Sequence, residues 1–311
     1  MVLIISEVAD NVTDTVMEHI AASGNYCFRI NATDNIIVAT YKGNDFHIEV
    51  EGKGSMHISS VRKIWYRRGY IDMPALHPAY RETKSSLYRN WMTVLGHMFE
   101  CAGEKTLGSF WLEFRQNKLA DLYRAKAAGL RTPLTLVTSS KQEVLEFMKL
   151  AGTVIVKPLN SVDTDLHDAL FGRGTQVVLP EVLDRLPHPL PVCFFQQLIE
   201  KEFDLRVFYL KGALYTVAIF SQRNDVTRVD FRNYDEQRPN RMIPFRLPAD
   251  VEDLVIRFMK GKGLDTGSLD LILTPKGEYV FLEVNPSGHF EWISNGCNLN
   301  LEQLIANELI S

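Results

Sequence analysis

Apolar positions recur along this 311-residue chain in two rhythms, one of strands and one of helices. VLIIS, residues 2–6, is a short continuous apolar run, as in a strand buried on both faces. Val12, Val16 and Ile20 then return at helical spacing. YCFRI, NIIVATY, DFHIEV and VRKIWYRRG read as further strands, and 81–100 as a helix. A second part starts near Arg115. There RQNKLADLYRAKAAGLRTP is a helix ended by Gly129 and followed by Pro133. Strand LTLV, helix KQEVLEFMKLAG, strand TVIVKP, a polar loop over 160–174 and strand TQVVL come next. Beyond strand VCFFQQLI a third part holds the hairpin DLRVFYL-KG-ALYTVAIF, a polar stretch to about 245 and a helix over 251–261. A second hairpin, GSLDLILTPKGEYVFLEVN, precedes LNLEQLIANELI, an amphipathic helix with Leu301, Leu304, Ile305 and Leu309 on one face. Strands interleaved with helices predict an α/β (α+β) chain in three parts, 1–114, 115–200 and 201–311.

Composition narrows the function classes. Hydrophobic residues are 46% and charged residues 23%, ordinary for a soluble globular protein. Net charge is -4, with Lys and Arg spread throughout and no basic tail, which gives nucleic-acid binding no support. No run approaches the roughly 18 apolar residues of a bilayer span, and the N-terminus lacks the basic flank and long apolar core of a signal peptide. Cys27, Cys101, Cys193 and Cys297 stand far apart, in no metal-ligand spacing, as in a reducing cytoplasm. No GxGxxG follows the first strand, so a dinucleotide fold is not indicated.

The second hairpin carries the sharpest chemical signal. Folded about a Pro275–Glu278 turn, it sets Thr274 against Tyr279, Ile272 against Phe281 and Asp270 against Glu283, with Asn285 a step further on the same face. Like charges directly opposed are unfavourable in a sheet. Either that face is solvated, or a cation sits between the carboxylates; two acids and an amide oxygen suit Mg²⁺, which recruits phosphate oxygens as further ligands. Lys157 ends the apolar strand TVIVK, as a cation reaching a phosphate or as a strand-end gatekeeper. Lys118 opens a helix, as a second phosphate contact or a solvated surface lysine. Gly172-Arg173-Gly174 reads as a phosphate flap or a plain flexible loop. The segment from Gln196 to Arg206 reads as a hinge whose backbone groups suit a purine edge, or as an inter-domain linker. Arg206 and Arg232 balance a transferring phosphoryl group or pair locally with Asp204 or Asp230. His289 and Glu291, after the metal strand, assist proton removal or merely make a turn polar.

In this order the Lys118 helix, VIVKP, QQLI, DLR, Asp270 and Glu283-x-Asn285 resemble the ATP-grasp superfamily over about 115–290, and the α/β unit before them fits the domain that usually comes first. WYRRG (65–69), the series Ser221, Gln222, Asp230, Phe231 and Arg232, FLEVNPSGHF and ISNGCNLNLE further resemble the graspetide maturases, ATP-grasp ligases that cross-link side chains of ribosomally made precursor peptides. WYRR and ISNGCNLNLE look most like the grasp-with-spasm branch; His289 stands where relatives often carry Gln. The resemblance implies an ATP-grasp fold, with an N-terminal pre-ATP-grasp domain and two subdomains clasping ATP. It implies ATP and Mg²⁺ as cofactors: Lys118 and Lys157 on the phosphates, Gln196, Gln197 and Ile199 on adenine, Asp204 near the ribose, and Asp270, Glu283 and Asn285 on Mg²⁺. Arg206 and Arg232 would face the γ-phosphate or an acylphosphate. The implied partner is a precursor peptide of leader plus core, and a homodimer is compatible. Two other readings stand beside this one: a ligase adding a free amino acid, similar to glutathione synthetase or the tail-modifying glutamate ligases, and a non-catalytic nucleotide-binding module.

Overall fold

The computed structural model describes residues 1–43, 45–159, 174–233 and 235–311. They form two compact units, one of Met1–Gln116, Leu264–Gly267 and Asn285–Ser311, the other of Asn117–Gly263 and Ser268–Val284.

The first unit is built on a parallel sheet. Strand Val2–Ser6 lies between Cys27–Asn31 and Lys63–Tyr66, with Val2 in register with both Cys27 and Lys63, and Thr106–Leu107 adds an outer strand. Its central strand is buried throughout, as its unbroken apolar run requires. Helix Asn11–Ala22 covers it with Val12, Val16 and Ile20, and Leu301–Ile310 packs on that helix. A second, antiparallel sheet orders Ile36–Lys42, Asp45–Val50 and Gly54–His57. Alternation along Asp45–Val50 buries Phe46, Ile48 and Val50, which join Trp91, Leu95 and Phe99 of helix Lys84–Ala102 in one core. The sequence does not mark Gly54–His57, whose small and polar residues give no strand pattern.

The second unit has two antiparallel sheets. One orders Gln176–Val177, Val154–Lys157, Cys193–Gln197 and Thr135–Thr138. Helix Lys141–Ala151 buries Val144, Phe147 and Ala151 in the core beneath it. The other orders Arg241–Phe245, Ala213–Phe220, Phe203–Leu210, Thr266–Leu273 and Tyr279–Asn285. Helix Ala249–Lys262 packs on it through Phe258, whose ring centroid is 5.0 Å from that of Phe281. The same helix is tied to Lys118–Ala127 by a buried ion pair between Lys262 and Asp121. Arg241–Phe245 falls where the sequence reads only a polar stretch, because Pro244 breaks the strand pattern; the strand is tolerated because it lies at the sheet edge. Gly172-Arg173 lies outside the described residues.

The second hairpin is present, but its turn is tighter than four residues. Thr274 N–H donates to the Glu278 carbonyl at 2.9 Å and Gly277 N–H to the Thr274 carbonyl at 2.9 Å. Gly277 sits at φ 78, the left-handed position of a three-residue loop. Thr274 therefore pairs with Glu278, not with Tyr279, and the opposition of Asp270 to Glu283 counted from the longer turn does not follow from the closure.

Gly108 has φ 84, and a Cβ there would stand 2.2 Å from the Tyr66 carbonyl oxygen. Both the backbone angle and the clash forbid a side chain, so Gly108→Ala is expected to lower stability by about 2 kcal/mol or more, read as a fall in urea midpoint against wild type.

Candidate active site

The site assembles from strands, a helix start and a loop of the second unit. Asp270 lies within Thr266–Leu273 at 3% exposure, beside Arg206 of the neighbouring strand Phe203–Leu210, whose Nη1 donates to Asp270 Oδ1 at 2.9 Å. Glu283, near the end of Tyr279–Asn285, has its side chain 13% exposed. It accepts from Arg232 Nη1 at 2.8 Å and lies 3.8 Å from Lys118 Nζ. Both acids are thus taken out of solvent, which removes the solvated-face reading. The like-charge conflict is answered by one arginine for each acid.

Burial raises the Asp270 pKa above the ordinary carboxylate value; Arg206 opposes this and the Glu283 charge adds to it. Burial also works against the charged form of Glu283, but Arg232, Lys118 and Lys157 outweigh it and hold the group below its ordinary value. Asp230 is the third carboxylate. It accepts from Arg232 Nε at 2.9 Å and Nη2 at 2.7 Å, and from Thr175 Oγ1 at 2.8 Å. Desolvation is the largest influence on it, yet these bonds reverse the sign and hold its pKa far below normal. The bonds from Asp230, followed by the charge of Glu283, push Arg232 upward against its burial. So Arg232 pairs locally with Asp230, as the sequence allows, and reaches Glu283 with the rest of its fork. Arg206 pairs with Asp270 and not with Asp204.

Lys157 closes strand Val154–Lys157 opposite Phe194. Its ammonium is held below the usual lysine value by burial; Glu283 resists this, while Arg232 and Lys118 add repulsion. Lys118 is the first residue of its helix, capped by Asn117, whose Oδ1 accepts from Leu119 and Ala120 N–H at 3.0 and 3.1 Å. A cation at the positive end of a helix is locally unfavourable. Here Lys118 instead donates to the Pro158 carbonyl at 2.9 Å and faces Glu283. Lys118, Lys157, Arg206 and Arg232 outnumber Asp230, Asp270 and Glu283, leaving the cluster with an excess positive charge. Such a set attracts a polyanion.

Asp204 is 2% exposed, and its oxygens are taken by Lys201 Nζ at 2.8 Å and Ser221 Oγ at 2.6 Å. Burial raises its pKa, with Lys201 opposing. Gln196 is buried and donates to Thr135 Oγ1 at 3.3 Å. In the hinge, Gln197 N–H already bonds the Leu134 carbonyl at 2.9 Å and Leu198 N–H the Thr153 carbonyl at 2.8 Å, so those two donors are not open to a purine. Gln197 and Ile199 line a depression of about 830 Å³ with Leu122, Leu130, Pro133 and Val280. Asn285, two positions beyond Glu283 on the same strand, accepts from Gln116 Nε2 at 3.4 Å. Lys201, Thr175 and Gln116 escape sequence reading: each is a single polar residue outside any spacing pattern, and only the fold brings it to its partner.

Among the described residues no group of three or more His, Cys, Asp and Glu side chains is placed to hold a metal. Asp270 and Glu283 are a smaller set, and a fitting one for Mg²⁺, which is commonly held by one or two carboxylates while phosphates and waters complete its shell.

No protein-family model matches the sequence, and no curated protein does either. Solved structures do. A RiPP-associated ATP-grasp ligase from Chryseobacterium gregarium, in complex with ADP and a leader and core peptide, superposes with a TM-score of 0.80 at 26% identity, over 99% of this chain and 94% of that one. Macrocyclase MdnC from Microcystis aeruginosa MRC, bound with precursor peptide MdnA, gives 0.79 at 25% identity over 100% of both chains. Macrocyclase MdnB from the same organism gives 0.73 at 26% identity, over 99% of this chain and 98% of that one. The chain shares the architecture of these ATP-grasp ligases along its whole length. Asp270 and Glu283 stand on the two strands of the hairpin that the sequence order marks out for them.

The depressed Asp230 pKa has a testable sign. The folded value lies below the unfolded one, near 4, so the Asp230 contribution to stability is fully present above about pH 4 and is lost as pH falls through the folded value. Asp230→Asn is expected to melt below wild type at pH 7, with the gap closing only below about pH 4. A gap independent of pH would show that the charge of Asp230 does not stabilise the fold.

Proposed function

We propose that this ATP-grasp ligase is a graspetide maturase. It phosphorylates Asp or Glu side chains of a ribosomal precursor peptide, built of leader and core, and joins them to Ser, Thr or Lys side chains as esters or amides. The observation that carries the reading is the paired set of carboxylates and cations gathered by the second unit, in a chain that superposes along its whole length on ligases whose structures contain leader and core peptide, ADP or precursor peptide.

A carboxylate is a poor electrophile, because its charge repels nucleophiles and oxide is a poor leaving group. Transfer of the ATP γ-phosphoryl group to a carboxylate oxygen releases ADP and leaves an acylphosphate. A hydroxyl or amine then attacks the carbonyl carbon and loses its proton, and phosphate departs with the C–O bond pair. Positioning and charge do most of this work. We assign Lys118 and Lys157 to the ATP phosphates, supported by the repulsion that Lys157 feels from Arg232 and Lys118. Arg206 and Arg232 are assigned to the transferring phosphoryl group: their forks face Asp270 and Glu283, and an anion of matching shape can take their place. Asp270, Glu283 and Asn285 would hold Mg²⁺, which when bound neutralises phosphate oxygens. Gln196, Gln197 and Ile199 are assigned to adenine, supported by the depression that Gln197 and Ile199 border. Asp204 is assigned to the ribose edge only through its position; its bonds to Lys201 and Ser221 support an equally structural part. Parts 115–200 and 201–311 are read as the clasping subdomains, each carrying one sheet of the second unit, with 1–114 as the domain before them. No described helix is long and apolar enough to cross a membrane, and the four cysteines are free, which supports a cytoplasmic setting.

Incubated with ATP, Mg²⁺ and a synthetic leader–core peptide rich in Glu, Asp, Ser, Thr and Lys, the protein is expected to yield ADP, phosphate and a peptide lighter by one water per bond in its intact mass. A heavier peptide would identify a ligase adding free amino acids; bound nucleotide without ADP release would identify a non-catalytic module. Asp270→Asn and Glu283→Gln are each expected to slow the reaction by about a hundredfold or more, read as initial rate of phosphate release.

A further inference from the structure

Arg232 sits on an irregular segment. Residues 221–240 join strand Ala213–Phe220 to strand Arg241–Phe245 and begin with a single helical turn, Ser221–Arg223. A connection of this length inside a compact unit is uncommon. A side chain that must meet a phosphoryl group in one orientation needs firmer support than a loop gives by itself. The Arg232 side chain is also 48% exposed. What holds it is a series of polar contacts that leads back to strand Phe203–Leu210.

The series begins at a buried ion pair. Lys201, 7% exposed, donates from Nζ to Asp204 Oδ1 at 2.8 Å, and Asp204 is 2% exposed. Taking two charges out of water is costly, and an apolar pair of similar volume is often as stable or more so. Stability alone does not account for the pair. Its further contacts do. Asp204 Oδ2 accepts from Ser221 Oγ at 2.6 Å, which ties down the first residue of the segment. Lys201 Nζ also donates to the Val229 carbonyl at 3.4 Å, which ties down the residue before Asp230. Between these points Thr227 Oγ1 donates to the Ser221 carbonyl at 3.0 Å, and Gln222 Nε2 to the Arg228 carbonyl at 3.0 Å. The stretch from Ser221 to Val229 is thus a closed loop whose two ends meet at one ion pair. Asp230 follows at once, 7% exposed, and holds Arg232 by Nε and Nη2.

We infer that Lys201, through Asp204 and the Val229 carbonyl, is a positioning residue: it clamps the loop from Ser221 to Asp230 and so sets where Arg232 stands. Lys201 touches no reacting group; it acts through the backbone that carries Asp230. The purpose of the clamp rests on the ligase reading, in which Arg232 meets the transferring phosphoryl group, whereas the clamp itself belongs to the fold.

The double variant Lys201→Met/Asp204→Leu replaces the pair by apolar side chains of similar size and is expected to fold. The Arg232 Nε–H resonance, identified by its loss in Arg232→Lys, is expected to exchange slowly with solvent in wild type, because Asp230 holds it. In the double variant that exchange is expected to quicken by about tenfold or more. Phosphate release with ATP, Mg²⁺ and a leader–core peptide is expected to lose about tenfold in kcat, with KM for ATP within about twofold of wild type. Ser221→Ala cuts the clamp at its other end and is expected to act in the same direction, which decides the matter where the double variant fails to fold. Wild-type exchange at Arg232 in either folded variant overturns the inference, and so does quickened exchange with kcat unchanged. A raised KM for ATP with lost preference for ATP over 2′-deoxy-ATP, beside an unmoved Arg232, also overturns it and makes Asp204 a ribose contact instead. Quickened exchange in a protein whose wild type never releases phosphate keeps the clamp and removes the ligase. Phosphate release by wild type, with Arg232 unmoved in the variants, removes the clamp and leaves the ligase.

Discussion

Everything at the candidate active site follows from two carboxylates held out of water on neighbouring strands. Asp270 and Glu283 cannot both stay charged in a dry sheet unless cations stand against them. The fold provides one arginine for each, Arg206 at 2.9 Å and Arg232 at 2.8 Å, and brings Lys118 and Lys157 to the same place. Removing either partner of such a pair leaves a buried charge alone, which is far more costly than never having built the pair. The cluster is therefore an all-or-none arrangement.

Under the proposed function, that arrangement would let one set of residues serve two kinds of ligand. Carboxylates and phosphates compete for the same guanidinium forks, and divalent ions and guanidinium groups compete for the same carboxylates. A nucleotide bringing both phosphates and a divalent ion satisfies both halves of the cluster at once. Arg232 is suited to such an exchange, because Asp230 holds its Nε and Nη2 while Nη1 alone reaches Glu283. It can change partner at one end without being released at the other.

Much of this was legible in residue order. The strand TVIVK ending in Lys157, the Glu283-x-Asn285 alternation and the DLR strand lie on the elements their periodicity predicts. What sequence does not carry is which charge meets which. Arg206 shares a strand face with Asp204 by spacing, yet it bonds Asp270 on the next strand, while Asp204 turns to Lys201 and Ser221. Pairing across a sheet depends on register, and register depends on turns; the loop at Gly277 is one residue tighter than composition alone suggests. The hinge shows the same limit: QQLI marks its place, but not that Leu134 and Thr153 take the N–H groups of Gln197 and Leu198.

The central claim is that Asp270 and Glu283 hold a divalent ion that supports a triphosphate, with Arg206 and Arg232 as their partners when no ion is bound. Crystals grown with ADP and Mn²⁺, measured at the manganese absorption edge, test it most directly. The account predicts an anomalous peak bridging the two carboxylates and the nucleotide phosphates, with both guanidinium groups turned toward phosphate oxygens. A peak elsewhere, with Arg206 and Arg232 still bonded to the two acids beside bound ADP, would contradict it.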